Sequence, residues 1–165
     1  TVSDITEYWQ DDFVTFLIGC SFTFEQALLE AGLEVKHINE QKNVAMYRTD
    51  IKTESAGIFS GELVVSMRPF KKELVQKASD VTAQFPDMHG RPVHHGDPSE
   101  IGIRDISNPE YGEPIDIGPD EEPVFWACGV TPQNAALNAK PSIMITHNPG
   151  HMFVMDIKNE DFKEK

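Results

Sequence analysis

FWACGVTPQNAALNAK, residues 125–140, is the stretch whose reading decides the fold class of this 165-residue chain. An apolar run ends at Cys128, a Gly-Val turn follows, and Thr131-Pro132 opens a segment of helix-forming residues. Pro132 falls in the first helical turn, where its missing N–H costs nothing. A strand, a cysteine turn and a helix in that order form an α/β unit.

Working outward, the pattern predicts further elements. Asp4 and Glu7 stand in capping-box spacing, and Ile5, Trp9, Phe13, Phe16 and Leu17 recur at helical intervals, which predicts a helix over 4–17. Thr23 and Gln26 form a second capping box, opening a helix that Gly32 stops. LEVKHI, NVAMYRT, ELVVSMRP, EIGIRDI, SIMITH and HMFVMDI read as strands, and a short strand lies within HGRPVHHGDP. Leu74, Val75, Ala78, Val81 and Phe85 mark an amphipathic helix over 71–85. Residues 107–123 are rich in Pro, Gly and acids and read as a loop. Strands alternating with helices predict an α/β fold.

The two cysteines repeat a local pattern. FLIGCSFTFEQALLEA and VFWACGVTPQNAALNA each carry an apolar run, a cysteine, a threonine three residues on, and Ala and Leu at matching places. Each copy predicts a cysteine turn entering a Thr-capped helix, with free N–H groups and the positive helix end near the thiol. Such a turn suits a carboxylate, and it can lower a thiol pKa from about 8.5 to roughly 7. Two such turns facing each other would hold a molecule with two carboxylates. The opposing expectation is that each cysteine is a small buried hydrophobe.

A net charge of −13 argues against nucleic-acid or anionic-membrane partners, which require a positive field. A small acid would need local positive charge from Arg48, Arg68, Arg91 or Arg104. Cys20 and Cys128 show no CxxC spacing, which fits free thiols in a reducing, cytoplasmic setting. The first residue is not Met, so a processed or shortened chain is expected. His89, His94 and His95 cluster near Asp97, and His147 lies near His151. These suit acid/base work, or turns bonded to backbone, better than a metal, because no specific zinc spacing occurs.

Several strings taken together, FLIGCSFTFEQALLEAG, MYRT, VVSMRP, HGRPVHHGDP, IGI, PVFWACGVTPQ and ITHNPGHM, resemble the D-glutamate cyclase family, whose bacterial members are called hydro-lyases. The resemblance covers nearly the whole chain and leaves about the first third of the usual family sequence unmatched. It implies one family domain of two lobes, with a smaller α+β lobe (Leu33 to Ile106) inserted in a Rossmann-like larger layer formed by 1–32 and 107–165. It implies dehydrative cyclisation of D-glutamate to 5-oxo-D-proline. Matching positions include Gly19, Cys20, Ser21, Arg48, Arg68, His89, Gly90, His94, Gly96, Asp97, Cys128, Thr131, His147 and Gly150, whereas Arg91 and His95 depart from the family pattern.

Such a cyclase needs a base for the α-amine, donors for the carboxyl oxygen, a proton for the leaving hydroxyl and a clamp for the α-carboxylate. The expected acid/base residues are His94 and His147, acting with Cys20 and Cys128. Ser21, Thr23, Arg48, Arg68, His89, Asp97 and Thr131 are expected to bind substrate, with Arg48 or Arg68 as the bidentate clamp. Neither a metal nor an organic cofactor is implied, and the partner is a small carboxylate or amino acid, with homo-oligomerisation left open. The rival expectations are a metal-assisted lyase or hydrolase on another small acid, and a non-catalytic carboxylate-binding module.

Overall fold

The computed structural model of the chain describes residues 1–164. Its centre is a four-stranded sheet of β1 (Ala45–Lys52), β2 (Glu62–Lys71), β3 (His94–His95) and β4 (Glu121–Ala127), in the order β1-β2-β4-β3. All three pairings are antiparallel. Among the described residues the sheet therefore lacks the parallel pairing of a Rossmann-like layer, and the fold shown is mixed α/β on an antiparallel sheet. The helices are α1 (Glu25–Glu30), α2 (Lys36–Asn39), α3 (Val75–Thr82) and α4 (Thr131–Ala139), with short 3-10 turns between elements.

β2 is buried on both faces, so its sequence LVVSMRPF runs apolar with little alternation. One face packs Phe70, Val124 and Trp126 against Phe24 and Leu28 of the α1 region and against Val75 and Ala78 of α3. The other packs Tyr47, Val65, Met67 and Phe125 against Ile101, Ile103 and Ile115 from the long loops. Pro69 and Pro123 stand opposite each other within the sheet. The Pro123 carbonyl accepts from Gly96 N–H, so its backbone polar groups face β3 and the missing N–H breaks no β2–β4 bond.

α3 and α4 form where periodicity places them. Several other expectations are corrected. Residues 4–17 are not a helix: only Thr6–Tyr8 coil, as a 3-10 turn, because Asp4 accepts from Thr6 and Val14, Phe16 and Leu17 are exposed with no surface to pack against. LEVKHI is not a strand but enters α2, which turns His37 inward. EIGIRDI is replaced by a 3-10 turn, Pro98–Ile101, ended by Gly102 at φ +82°. SIMITH and HMFVMDI pair with nothing among the described residues and expose Phe153 and Val154.

Trp126 is fully buried and donates from Nε1 to Thr82 Oγ1 at 3.1 Å, tying β4 to the end of α3. Thr82→Val preserves shape but strands the indole N–H, and a loss of about 1–3 kcal/mol is expected in urea unfolding. An unchanged midpoint and slope would refute this account of the β4–α3 contact.

Candidate functional site

Two turns meet beside the middle of β2. The first is Gly19-Cys20-Ser21, leading through a 3-10 turn (Ser21–Phe24) into α1. The second is Cys128-Gly129-Val130, leading into α4. A Cβ on Gly129 would lie 3.6 Å from the Gly19 carbonyl oxygen, so the backbones touch. A Cβ on Gly19 would lie 2.0 Å from the Asp87 carbonyl oxygen and 2.9 Å from Met88 Sδ. The first turn is thus pressed onto the 3-10 turn Pro86–Met88, which delivers His89 beside it.

The threonines do not cap as the sequence predicts. Thr131 accepts from Val64 N–H at 3.0 Å and donates to the Val64 carbonyl at 3.2 Å. It extends the sheet where β4 ends and leaves the α4 terminus without a side-chain cap. Thr23 lies inside the 3-10 turn, and α1 also lacks a side-chain cap.

Behind the turns lies a buried polar group of Ser21, Glu25, His37, Ser66 and Arg68. Arg68 is 0% exposed and donates from Nε and Nη2 to Glu25 Oε1, from Nη1 to Ser66 Oγ at 3.1 Å and from Nη2 to Ser21 Oγ at 3.0 Å. His37 Nε2 reaches the same Glu25 oxygen at 3.1 Å. The guanidinium also lies 5.3 Å from the Phe24 ring centre and 5.6 Å from that of Trp126. Burial alone would raise the Glu25 carboxyl, but the Arg68 charge and the His37 bond outweigh it and hold the group below its usual range. Arg68 is therefore no open clamp, because its fork is already closed on Glu25.

The thiols are not activated. Burial pushes Cys20 up and pushes Cys128 up to about 11, although the N–H groups of Phe22 and Val130 face the respective sulfurs and Arg68 favours the thiolates. The expected lowering is corrected: desolvation exceeds the turn's field. Each sulfur meets the N–H two residues on, so the repeat seen in sequence persists in local geometry. A Cys20 thiolate would raise Cys128 further, which places the sulfurs within each other's field.

His89 has a left-handed backbone, φ +76°, and its buried Nε2 has no hydrogen-bond partner. Burial lowers its pKa first, and the Arg68 charge lowers it further, against a rise from the Gly19 carbonyl. It is neutral at working pH, with a ring nitrogen unspent.

The sequence matches the D-glutamate cyclase family over residues 14–156. The chain belongs to the D-glutamate cyclase family. Chains from Thermoanaerobacter sp. (strain X514) and Bacillus subtilis (strain 168), each named "Putative hydro-lyase", are 60% and 57% identical over 159 residues. Those alignments cover 96% of this chain and 60% and 62% of the relatives. A Staphylococcus haemolyticus chain of the same name is 57% identical over 99% of this chain and 62% of its own length. The chain thus spans about three-fifths of the length of the relatives it matches.

Within this family member, the structure brings together Cys20, Ser21, Arg68, His89 and Cys128. It leaves others apart. His94 pairs with Phe125 and stacks on its ring, whereas Arg68 pairs with Val124, so the two lie on opposite faces of the sheet. His94 Nε2 and the Asp97 carbonyl are 2.9 Å apart, and Asp97 caps the following turn through Ser99 N–H. Arg48 is exposed on β1 and donates to Tyr111 Oη. His147 is exposed, with Nδ1 against the Asn148 carbonyl. Glu25, His37 and Ser66 escaped sequence reasoning, because a glutamate in a first helical turn reads as solvated until its arginine, 43 residues away, is known. Among the described residues no three His, Cys, Asp or Glu side chains gather as a metal site.

Two consequences are measurable. At pH 8 roughly one Cys128 in a thousand is a thiolate, so native-state alkylation should run far slower than for a free cysteine and speed up as pH rises past 9. Alkylation at the free-cysteine rate would contradict the burial argument. Gly19→Ala should cost about 1–3 kcal/mol in denaturant unfolding, as its methyl meets the Asp87 carbonyl. A neutral outcome would show that the two turns are not pressed together.

Proposed function

We propose that the chain carries the reacting centre of a hydro-lyase that cyclises D-glutamate to 5-oxo-D-proline, with His89 as the base. The observation that carries this reading is the neutral, buried His89 imidazole with an unspent Nε2, held on a left-handed backbone beside two thiol turns. A strained residue with an unpaired buried nitrogen has a cost that a functional site can explain. Membership of the D-glutamate cyclase family supports the reaction class.

The α-ammonium must lose a proton before it can attack. His89 Nε2 takes that proton, and the amine nitrogen then forms a bond to the γ-carboxyl carbon. The C–O bond breaks as the lactam forms. Two protons from nitrogen and one carboxyl oxygen leave together as water, so the balance needs no oxidant. One neutral thiol of Cys20 and Cys128 gives a proton to the leaving oxygen and is restored by the second nitrogen proton, while the proton taken up by His89 passes to the same oxygen to complete the water. On this reading the acid/base role expected of His94 and His147 belongs to His89, and Arg68 acts through Ser21 rather than as a clamp.

The two-lobed, Rossmann-like architecture, with 33–106 as its smaller lobe, remains part of the proposal. So do the cytoplasmic setting and the small amino-acid substrate. Among the described residues no helix is long and apolar enough to cross a membrane.

The test is mass-spectrometric turnover of D-glutamate by the wild-type protein and by His89→Gln. A fall in kcat of about 10²- to 10⁴-fold is expected, with His94→Gln close to wild type. Full activity in His89→Gln would remove the base. Equal loss in His94→Gln would move the site to the other face of the sheet.

A further inference from the structure

We infer that Glu25 and His37 are positioning residues that fix the Ser21 hydroxyl as the hydrogen-bond donor to the substrate's α-carboxylate, an inference that rests on the cyclase reading above. A guanidinium has five N–H donors in a fixed fork. Arg68 spends Nε–H and one Nη2–H on Glu25, a second Nη2–H on Ser21 and an Nη1–H on Ser66. One N–H remains, which is too few for the bidentate grip on a carboxylate. The positive charge is therefore passed on through the serine it holds.

Ser21 Oγ accepts from Arg68, so its own proton must point elsewhere. Ser66 Oγ is 3.4 Å away, at the long end of hydrogen bonding, and it too accepts from Arg68. The Ser21 O–H is left available and is polarised by a cationic donor on its oxygen. Ser21 follows Cys20 directly, at the turn where the thiols and His89 converge.

His37 braces this turn at two points. Its Nε2 meets Glu25 Oε1 at 3.1 Å, and its ring stacks on Phe22, the residue after Ser21, at 6.1 Å and 28°. A single carboxylate oxygen thus takes both His37 and Arg68, fixing the direction from which Arg68 approaches Ser21. Without that hold the guanidinium would be free to turn from Ser21 toward the substrate's carboxylate.

Glu25→Gln would leave a buried guanidinium without its counter-charge, so the test uses milder changes. D-glutamate turnover, 5-oxoproline binding by NMR titration, and thermal midpoints are measured for wild type, Ser21→Ala, His37→Leu and His37→Gln. Ser21→Ala should stay folded with a lowered thermal midpoint, because it strands one Arg68 N–H. At temperatures where it is fully folded it should lose about tenfold or more in kcat/KM and bind 5-oxoproline correspondingly more weakly. His37→Leu should show the same direction of loss. His37→Gln, whose amide N–H can reach Glu25 in place of Nε2, should recover to within about threefold of wild type. Ser21→Ala with unchanged kcat/KM and binding overturns the inference. So does His37→Gln failing as badly as His37→Leu, with losses that follow only the thermal midpoint. A wild-type protein inert toward both compounds overturns the cyclase reading itself, and this is seen before any variant is compared.

Discussion

The buried contact between Arg68 and Glu25 is the constraint on which the rest depends. A guanidinium at 0% exposure has lost its hydration, and its stability in that position requires that nearly every N–H find a partner. The partners come from separate parts of the chain: Glu25 on α1, Ser21 in the first cysteine turn, and Ser66 on the same strand. Phe24 and Trp126 present their ring faces to the same charge. Satisfying Arg68 therefore draws α1 and the first turn onto β2 and β4. Removing one partner of such a pair costs about 3–5 kcal/mol, whereas an apolar replacement of the whole group need not, so the pair is an argument for specificity of arrangement more than for stability.

The arrangement also decides what the neighbouring groups can do. Thiols near a cation would ordinarily ionise more readily, yet here burial dominates and both stay protonated at neutral pH. The same burial keeps His89 neutral. The result is a neutral imidazole and two protonated thiols gathered around one pair of turns. Glu25 responds to acid in the same sense as His89, because both groups are held below their ordinary values in the folded chain and both favour unfolding as they take up protons. Its folded-state carboxyl is held below the usual range, so its stabilising contribution is present above the unfolded carboxyl value, near 4.3, and is lost as pH falls through the folded value.

Much of the framework was legible in the sequence because local signals and tertiary burial agreed. ELVVSMRP and PVFWAC became β2 and β4, and Thr131-Pro132 opened α4 at the expected residue. The meeting of the two cysteine turns was legible too, through their repeated pattern. Failures came where tertiary contacts ruled. Residues 4–17 carry helical periodicity but no surface to pack on, and periodicity without burial leaves the helix unsupported. LEVKHI turned into α2 because His37 closes on Glu25. The activated thiols failed as an expectation because a sequence shows the dipole of a turn and not the depth at which the sulfur lies. His89 was visible as a candidate, but its unspent nitrogen depends on the left-handed bend after Met88, which no local pattern announces.

The central claim is that a neutral His89 with a free ring nitrogen faces the two thiol turns. An ¹⁵N-imidazole NMR titration of the wild-type protein, with and without 5-oxoproline, tests it most directly. His89 should stay neutral below the usual histidine value of about 6.5, and its Nε2 resonance should move when 5-oxoproline is added. A His89 that titrates at the ordinary value, with an Nε2 signal indifferent to the ligand, would contradict the account.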